Sequence, residues 1–139
     1  LPAKFIELVG KNSDRFVLGI SSPLYNNEPA HHETVRIVAD SLSARKDLLA
    51  TSDAFLVLPG GTGSLDEFAH VLETLKSNKD SSKRIAVFSP ELEAGIGYFA
   101  PLEIMLNQMV SVGALSSSEL ERVLFSSDPK RIAQFVFES

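Results

Sequence analysis

Three glycines and a carboxylate within Pro59-Gly-Gly-Thr-Gly-Ser-Leu-Asp-Glu67 are the residues of this chain best placed to do chemistry. Gly60, Gly61 and Gly63 make a turn whose backbone can approach a ligand with no Cβ in the way. The turn follows a continuous apolar run, Ala54 to Leu58, which reads as a strand buried on both faces of a parallel sheet and stopped by Pro59. A helix comes next. Ser64 is a good N-cap, Glu67 completes a capping-box pattern, and Leu65, Phe68, Ala69 and Leu72 fall on one apolar face. A strand end, a glycine turn and a helix N-terminus together form a crevice that favours anions, phosphates above all. The same residues also serve a plainer purpose, because Ser64-x-x-Glu67 caps a helix and glycines turn a chain with or without a ligand. No lysine follows the last glycine, as a P-loop requires, and no further glycine completes a dinucleotide fingerprint.

Two cations precede this stretch. Val35, Val38, Ala39, Leu42 and Leu49 predict an amphipathic helix from Glu33 to Thr51, with a bend near Ser41 to Ser43, and Arg45 and Lys46 interrupt its stripe. On one unbroken helix Lys46 projects near the centre of the buried face and Arg45 at its edge. Serines bond nearby backbone, so a break at Ser41–Ser43 resets the phase and puts Arg45 in a first turn, with Leu48 and Leu49 inward. Such cations either lie along the core rim on their apolar stems or reach an anion beside the glycine turn.

The remaining elements must position these groups. Leu1 to Val9 reads as a helix end stopped by Gly10, and Phe16 to Ile20 as a short strand followed by a Pro23–Pro29 loop. His31 and His32 are adjacent and diverge; with no third ligand in a recognisable spacing they read as solvated or capping residues, and no metal site is expected. Asn78 to Ser82 is a polar loop, Ile85 to Phe88 a third apolar strand, and Glu91 to Gly97 a further loop. Phe99, Leu102, Met105, Leu106 and Met109 mark a helix, Ser116-x-x-Glu119 a second capping box, and Val123 to Phe125 a last strand. Asp128-Pro129 opens a terminal helix with Ile132, Ala133 and Val136 inward. Strands alternating with helices predict an α/β fold, a doubly wound parallel sheet in three layers.

At 139 residues the chain has the length of one domain, residues 1–139. Its net charge of −5 argues against general nucleic-acid or membrane-surface binding. The chain has no cysteine, which removes disulfides and thiolate chemistry and leaves the cytoplasm as the default compartment. No apolar run approaches the roughly 18 residues of a membrane span.

The Pro59–Glu67 stretch closely resembles the PGGxGTxxE motif of the Lonely Guy family of cytokinin-activating phosphoribohydrolases, long mislabelled as lysine decarboxylases. The resemblance extends to Val38-Ala-Asp40, Arg45-Lys46, Ser52-Asp-Ala-Phe55 and Gly97-Tyr-Phe-Ala-Pro-Leu102. It implies a Rossmann-like fold, a homodimer whose helices close the site, and cleavage of the N-glycosidic bond of a nucleoside 5′-monophosphate. The implied substrate is AMP or N6-prenylated AMP, the implied products are free base and ribose 5-phosphate, and no metal or organic cofactor is expected. Glu67 takes the catalytic carboxylate's place, and its family counterpart contacts the ribose. Arg45 takes the arginine's place with Lys46 as accessory, and Pro59, Gly60, Gly61, Thr62, Gly63 and Ser64 hold the phosphate.

Two departures stand out. Ser64 replaces the usual threonine and keeps its hydroxyl, and a gap-free count from Val38-Ala-Asp40 to Ser52-Asp53 aligns the family's arginine with Ala44 rather than Arg45. Family members also begin with a strand and a glycine-rich segment, and Leu1 matches the helix after them, which reads as an N-terminal truncation or a degenerate member.

Hydrolysis of an N-glycoside needs charge stabilisation of an oxocarbenium-like sugar, an activated water and help for the departing base. Glu67 suits the first two. Asp66 lies about 100° away around the helix, so the two acids do not flank one bond as a glycosidase pair. An acid in a first helical turn is in any case stabilised by the macrodipole. A non-catalytic nucleotide or molybdenum-cofactor binder would keep the turn and tolerate loss of the carboxylate; the intact Glu67 favours an enzyme. A pyridoxal-phosphate decarboxylase would need a lysine near the turn, and the first after it is Lys76.

Overall fold

The computed structural model describes residues 18–25, 34–77, 82–93 and 95–137. The readings at Leu1–Gly10, Phe16, Asn26–Pro29, His31, His32 and Asn78–Ser81 lie outside these residues. The chain divides into two compact units, Leu1–Thr51 and Ser52–Ser139.

In the first unit, β1 (Leu18–Ser21) pairs in parallel with β2 (Val35–Val38), Leu18 opposite Val35 and Ser21 opposite Val38. The helix expected from Glu33 is therefore a strand over its first part. Val35-Arg-Ile-Val38 is rich in β-branched residues, which suit a pleated surface better than a helix, and the ladder with β1 decides the matter. The expected break is real: Ser41 caps α1 (Leu42–Leu49), its Oγ accepting from Ala44 N at 3.1 Å. The helix ends where Ala50 N donates to Lys46 O at 2.9 Å and Thr51 Oγ1 to Leu48 O at 2.7 Å.

The second unit holds a three-stranded parallel sheet, β3 (Ala54–Val57), β4 (Arg84–Phe88) and β5 (Val123–Ser126), in that order. Its helices are α2 (Thr62–Ser77), α3 (Ala100–Ser111), α4 (Ser117–Leu120) and α5 (Pro129–Phe137). The most deeply buried strand is β4, whose central Ile85, Ala86 and Val87 are shielded from solvent, whereas β3, expected to be buried on both faces, is half-buried along its length. The difference follows from position, since β4 lies between β3 and β5. Ile85, Val87 and Val123 of the sheet pack with Phe68, Val71, Leu72 and Leu75 of α2 and with Phe99, Leu106 and Leu115. The inward face of α2 is thus shifted along the helix from the expected one: Leu65 and Ala69 are exposed, and Val71 and Leu75 take their places. Ala133, also expected inward, is exposed, as is Met105 of the α3 stripe, while Leu106 and Ile132 are the buried residues of α3 and α5. The Arg84 guanidinium donates to Phe135 O at 2.9 Å and fastens α5 to β4. The second capping box is formed as read: Ser116 Oγ accepts from Glu119 N at 3.2 Å, and the Glu119 carboxylate accepts from Ser116 N at 2.7 Å.

Candidate active site

The strand β3 ends at Val57, and Leu58 to Gly61 carry the chain into α2, which starts at Thr62. Ser64 is therefore inside the first helical turn and is not the N-cap. Gly61 holds the N-cap position, its carbonyl accepting the first helical bonds from Ser64 N at 3.1 Å and Leu65 N at 3.4 Å. This occupies the Ser64 amide and takes it out of the cradle expected over Gly60–Ser64. N–H groups at a helix start have no intrahelical acceptor and carry the positive end of the macrodipole.

The three glycines differ in what surrounds them. None has a positive φ, because Gly95 and Gly113 are the positive-φ glycines among the described residues. A Cβ on Gly60 would collide with Ser64 Oγ and lie 3.2 Å from Ser64 Cβ, so Gly60 is set by packing within the turn. A Cβ on Gly61 or Gly63 would meet no described atom within 4 Å. Neither conformation nor internal packing demands glycine at these two positions.

Glu67 is partly buried on α2, between exposed Asp66 and buried Phe68. Its carboxylate and the glycine turn lie on the same short segment, so Pro59, Gly60, Gly61, Thr62, Gly63, Ser64 and Glu67 come together locally. Beside the turn is an apolar groove of about 380 Å³, lined by Gly60, Leu65, Tyr98, Pro101, Leu102 and Met105 among others. Tyr98 Oη donates to the Gly60 carbonyl at 2.7 Å. The sequence assigns no role to Tyr98, although it lies in the Gly97–Leu102 segment that carries the family resemblance. Only the distance-spanning bond reveals it.

Arg45 and Lys46 belong to the first unit. Arg45 is partly buried in the first turn of α1, with Nε donating to the Ile20 carbonyl at 3.1 Å. Lys46 is also partly buried, one residue further round the helix. Ala44, where the gap-free count puts the arginine, is exposed, and its amide is held by the Ser41 cap. The restart at Ser41 gives the phase in which Leu48 and Leu49 are partly buried and Ala50 buried. Among the described residues, no group of three or more His, Cys, Asp or Glu could hold a metal ion, and no helix is long and apolar enough to cross a membrane.

The family model described as "Possible lysine decarboxylase" matches residues 6–136, nearly the whole chain. The chain belongs to this family, the Lonely Guy family. Its parallel sheets and helices agree with the family's Rossmann-like α/β fold. It is similar to the cytokinin riboside 5′-monophosphate phosphoribohydrolase of Mycobacterium tuberculosis, 32% identical over 109 residues, 77% of this chain and 54% of the relative. The corresponding enzyme of Mycobacterium marinum is 31% identical over 108 residues, 76% of this chain and 54% of the relative. The probable cytokinin riboside 5′-monophosphate phosphoribohydrolase of Oryza sativa subsp. japonica is 25% identical over 126 residues, 88% of this chain and 49% of the relative. The chain spans about half the length of these curated relatives.

Proposed function

We propose that this Lonely Guy family chain hydrolyses the N-glycosidic bond of a nucleoside 5′-monophosphate, AMP or N6-prenylated AMP, to free base and ribose 5-phosphate. The observation that carries this reading is the glycine turn between β3 and α2 with Glu67 on the same helix, two of its three glycines open to approach. The relatives' names supply the substrate class.

In this reading the 5′-phosphate rests on the amides of Gly61, Thr62 and Gly63, with Pro59, Gly60 and Ser64 shaping the turn. The Glu67 carboxylate stabilises positive charge developing on the ribose and orients the attacking water. Arg45 neutralises the phosphate or steadies the base through its planar fork, and Lys46 adds charge. The bond broken joins the sugar's anomeric carbon to the base nitrogen; water supplies the new oxygen to that carbon and a proton to the base. The reading includes a homodimer, to which the exposed Ile104 and Met105 of α3 would contribute apolar surface. Light scattering then gives about twice 15.1 kDa.

Chromatography of base release from AMP and N6-prenylated AMP tests the reaction. Free base with an equal amount of ribose 5-phosphate is expected, and no base from either nucleotide would end the proposal.

A further inference from the structure

Tyr98 is held in place before any ligand arrives. After β4, Glu91 and Gly97 form an antiparallel bridge closed by Gly95 at φ +71°, and the chain returns to the strand end. There Tyr98 N donates to Pro90 O at 2.9 Å, and Phe99 N to the buried Ser89 Oγ at 2.8 Å. The Phe99 ring is in the core, and the Tyr98 ring meets it edge-on at 4.8 Å between centroids. Gly97 permits this approach, since a Cβ there would lie 2.7 Å from Ser89 Oγ. The phenol thus projects from a backbone anchored on β4 and donates to the Gly60 carbonyl.

That carbonyl is one end of the Gly60–Gly61 peptide, and the Gly61 N–H is the other. The unit is planar and trans, so its C=O and N–H point in opposite directions. A peptide between two glycines meets little steric resistance to rotating as a whole. Fixing the oxygen fixes the N–H, and a hydrogen bond accepted at the oxygen polarises the N–H as a donor. The geometry points to Tyr98 as a positioning residue that locks this peptide with the Gly61 N–H turned toward the bound 5′-phosphate. This rests on the phosphate reading of the turn.

The test compares the unaltered protein with Tyr98→Phe, which removes one oxygen from a partly exposed side chain. Calorimetry with AMP and adenosine gives the preference conferred by the phosphate, and hydrogen exchange over residues 58–65 reports on the turn. Tyr98→Phe is expected to weaken AMP binding about five- to tenfold, the range of one lost hydrogen bond, with adenosine affinity unchanged and exchange faster. An unchanged preference for AMP over adenosine, whatever the exchange result, would overturn the role toward phosphate, and unchanged exchange would overturn the lock itself. Should the unaltered protein bind AMP no better than adenosine, the phosphate reading of the turn fails; the exchange comparison then still decides whether Tyr98 locks the peptide.

Discussion

The Arg45 Nε donates to the Ile20 carbonyl at 3.1 Å and ties the first turn of α1 to β1. A lysine has no such lateral donor, so the bond selects arginine at this position on geometry as well as charge. Two consequences follow for mutation, one in stability and one in turnover.

Arg45→Ala should lower kcat/KM for nucleotide by at least about 30-fold, or ~2 kcal/mol, and Arg45→Lys should recover little of it. Loss of the Ile20 bond alone should cost about 1 kcal/mol in urea denaturation. Lys46→Ala should be mild in both measurements. A crippled Lys46→Ala beside a mild Arg45→Ala would move the catalytic cation by one residue.

Gly60 and Gly61 should answer differently to alanine. The Gly60 methyl meets Ser64, so Gly60→Ala should reduce stability by about 1 kcal/mol or more. The Gly61 methyl meets open space at an ordinary φ, so stability should change by about 0.5 kcal/mol at most. Gly61→Ala should nevertheless weaken AMP binding about tenfold or more, because the methyl occupies the ligand's approach. Thermal melts and calorimetry on the two variants separate packing from ligand approach.

The capping box of α4 offers a control remote from the proposed chemistry. Ser116→Ala should cost about 1 kcal/mol of stability and leave AMP affinity unchanged.

Local signals carried much of this architecture. The apolar runs at Ala54–Leu58 and Ile85–Phe88, the Ser116 box and Asp128-Pro129 each mark their element within a few residues, because strand burial and capping are short-range patterns. The strand β2 was not legible in that way. Val35, Val38, Ala39 and Leu42 fit a helical period by spacing, and four residues are too few for periodicity to outvote it. Pairing with β1 is a long-range fact. The start of α2 lies three residues earlier than its capping signal implies, because Ser64 has a capping side chain while Gly61 holds the N-cap position. Tyr98 was hidden for a similar reason. Its bond to Gly60 depends on the Glu91–Gly97 hairpin returning to β4, and no residue near Gly60 announces it. The glycine turn and Glu67 were legible because they are contiguous.

The most direct measurement is single-turnover base release by Glu67→Gln beside its binding of AMP. The substitution is nearly isosteric and leaves Phe68 in the core, so the fold and nucleotide affinity should survive. Turnover should fall by roughly 4 kcal/mol of barrier, about a thousandfold, as removal of a transition-state carboxylate requires. A Glu67→Gln protein that melts earlier yet releases base at the unaltered rate per folded molecule would contradict the catalytic role of Glu67.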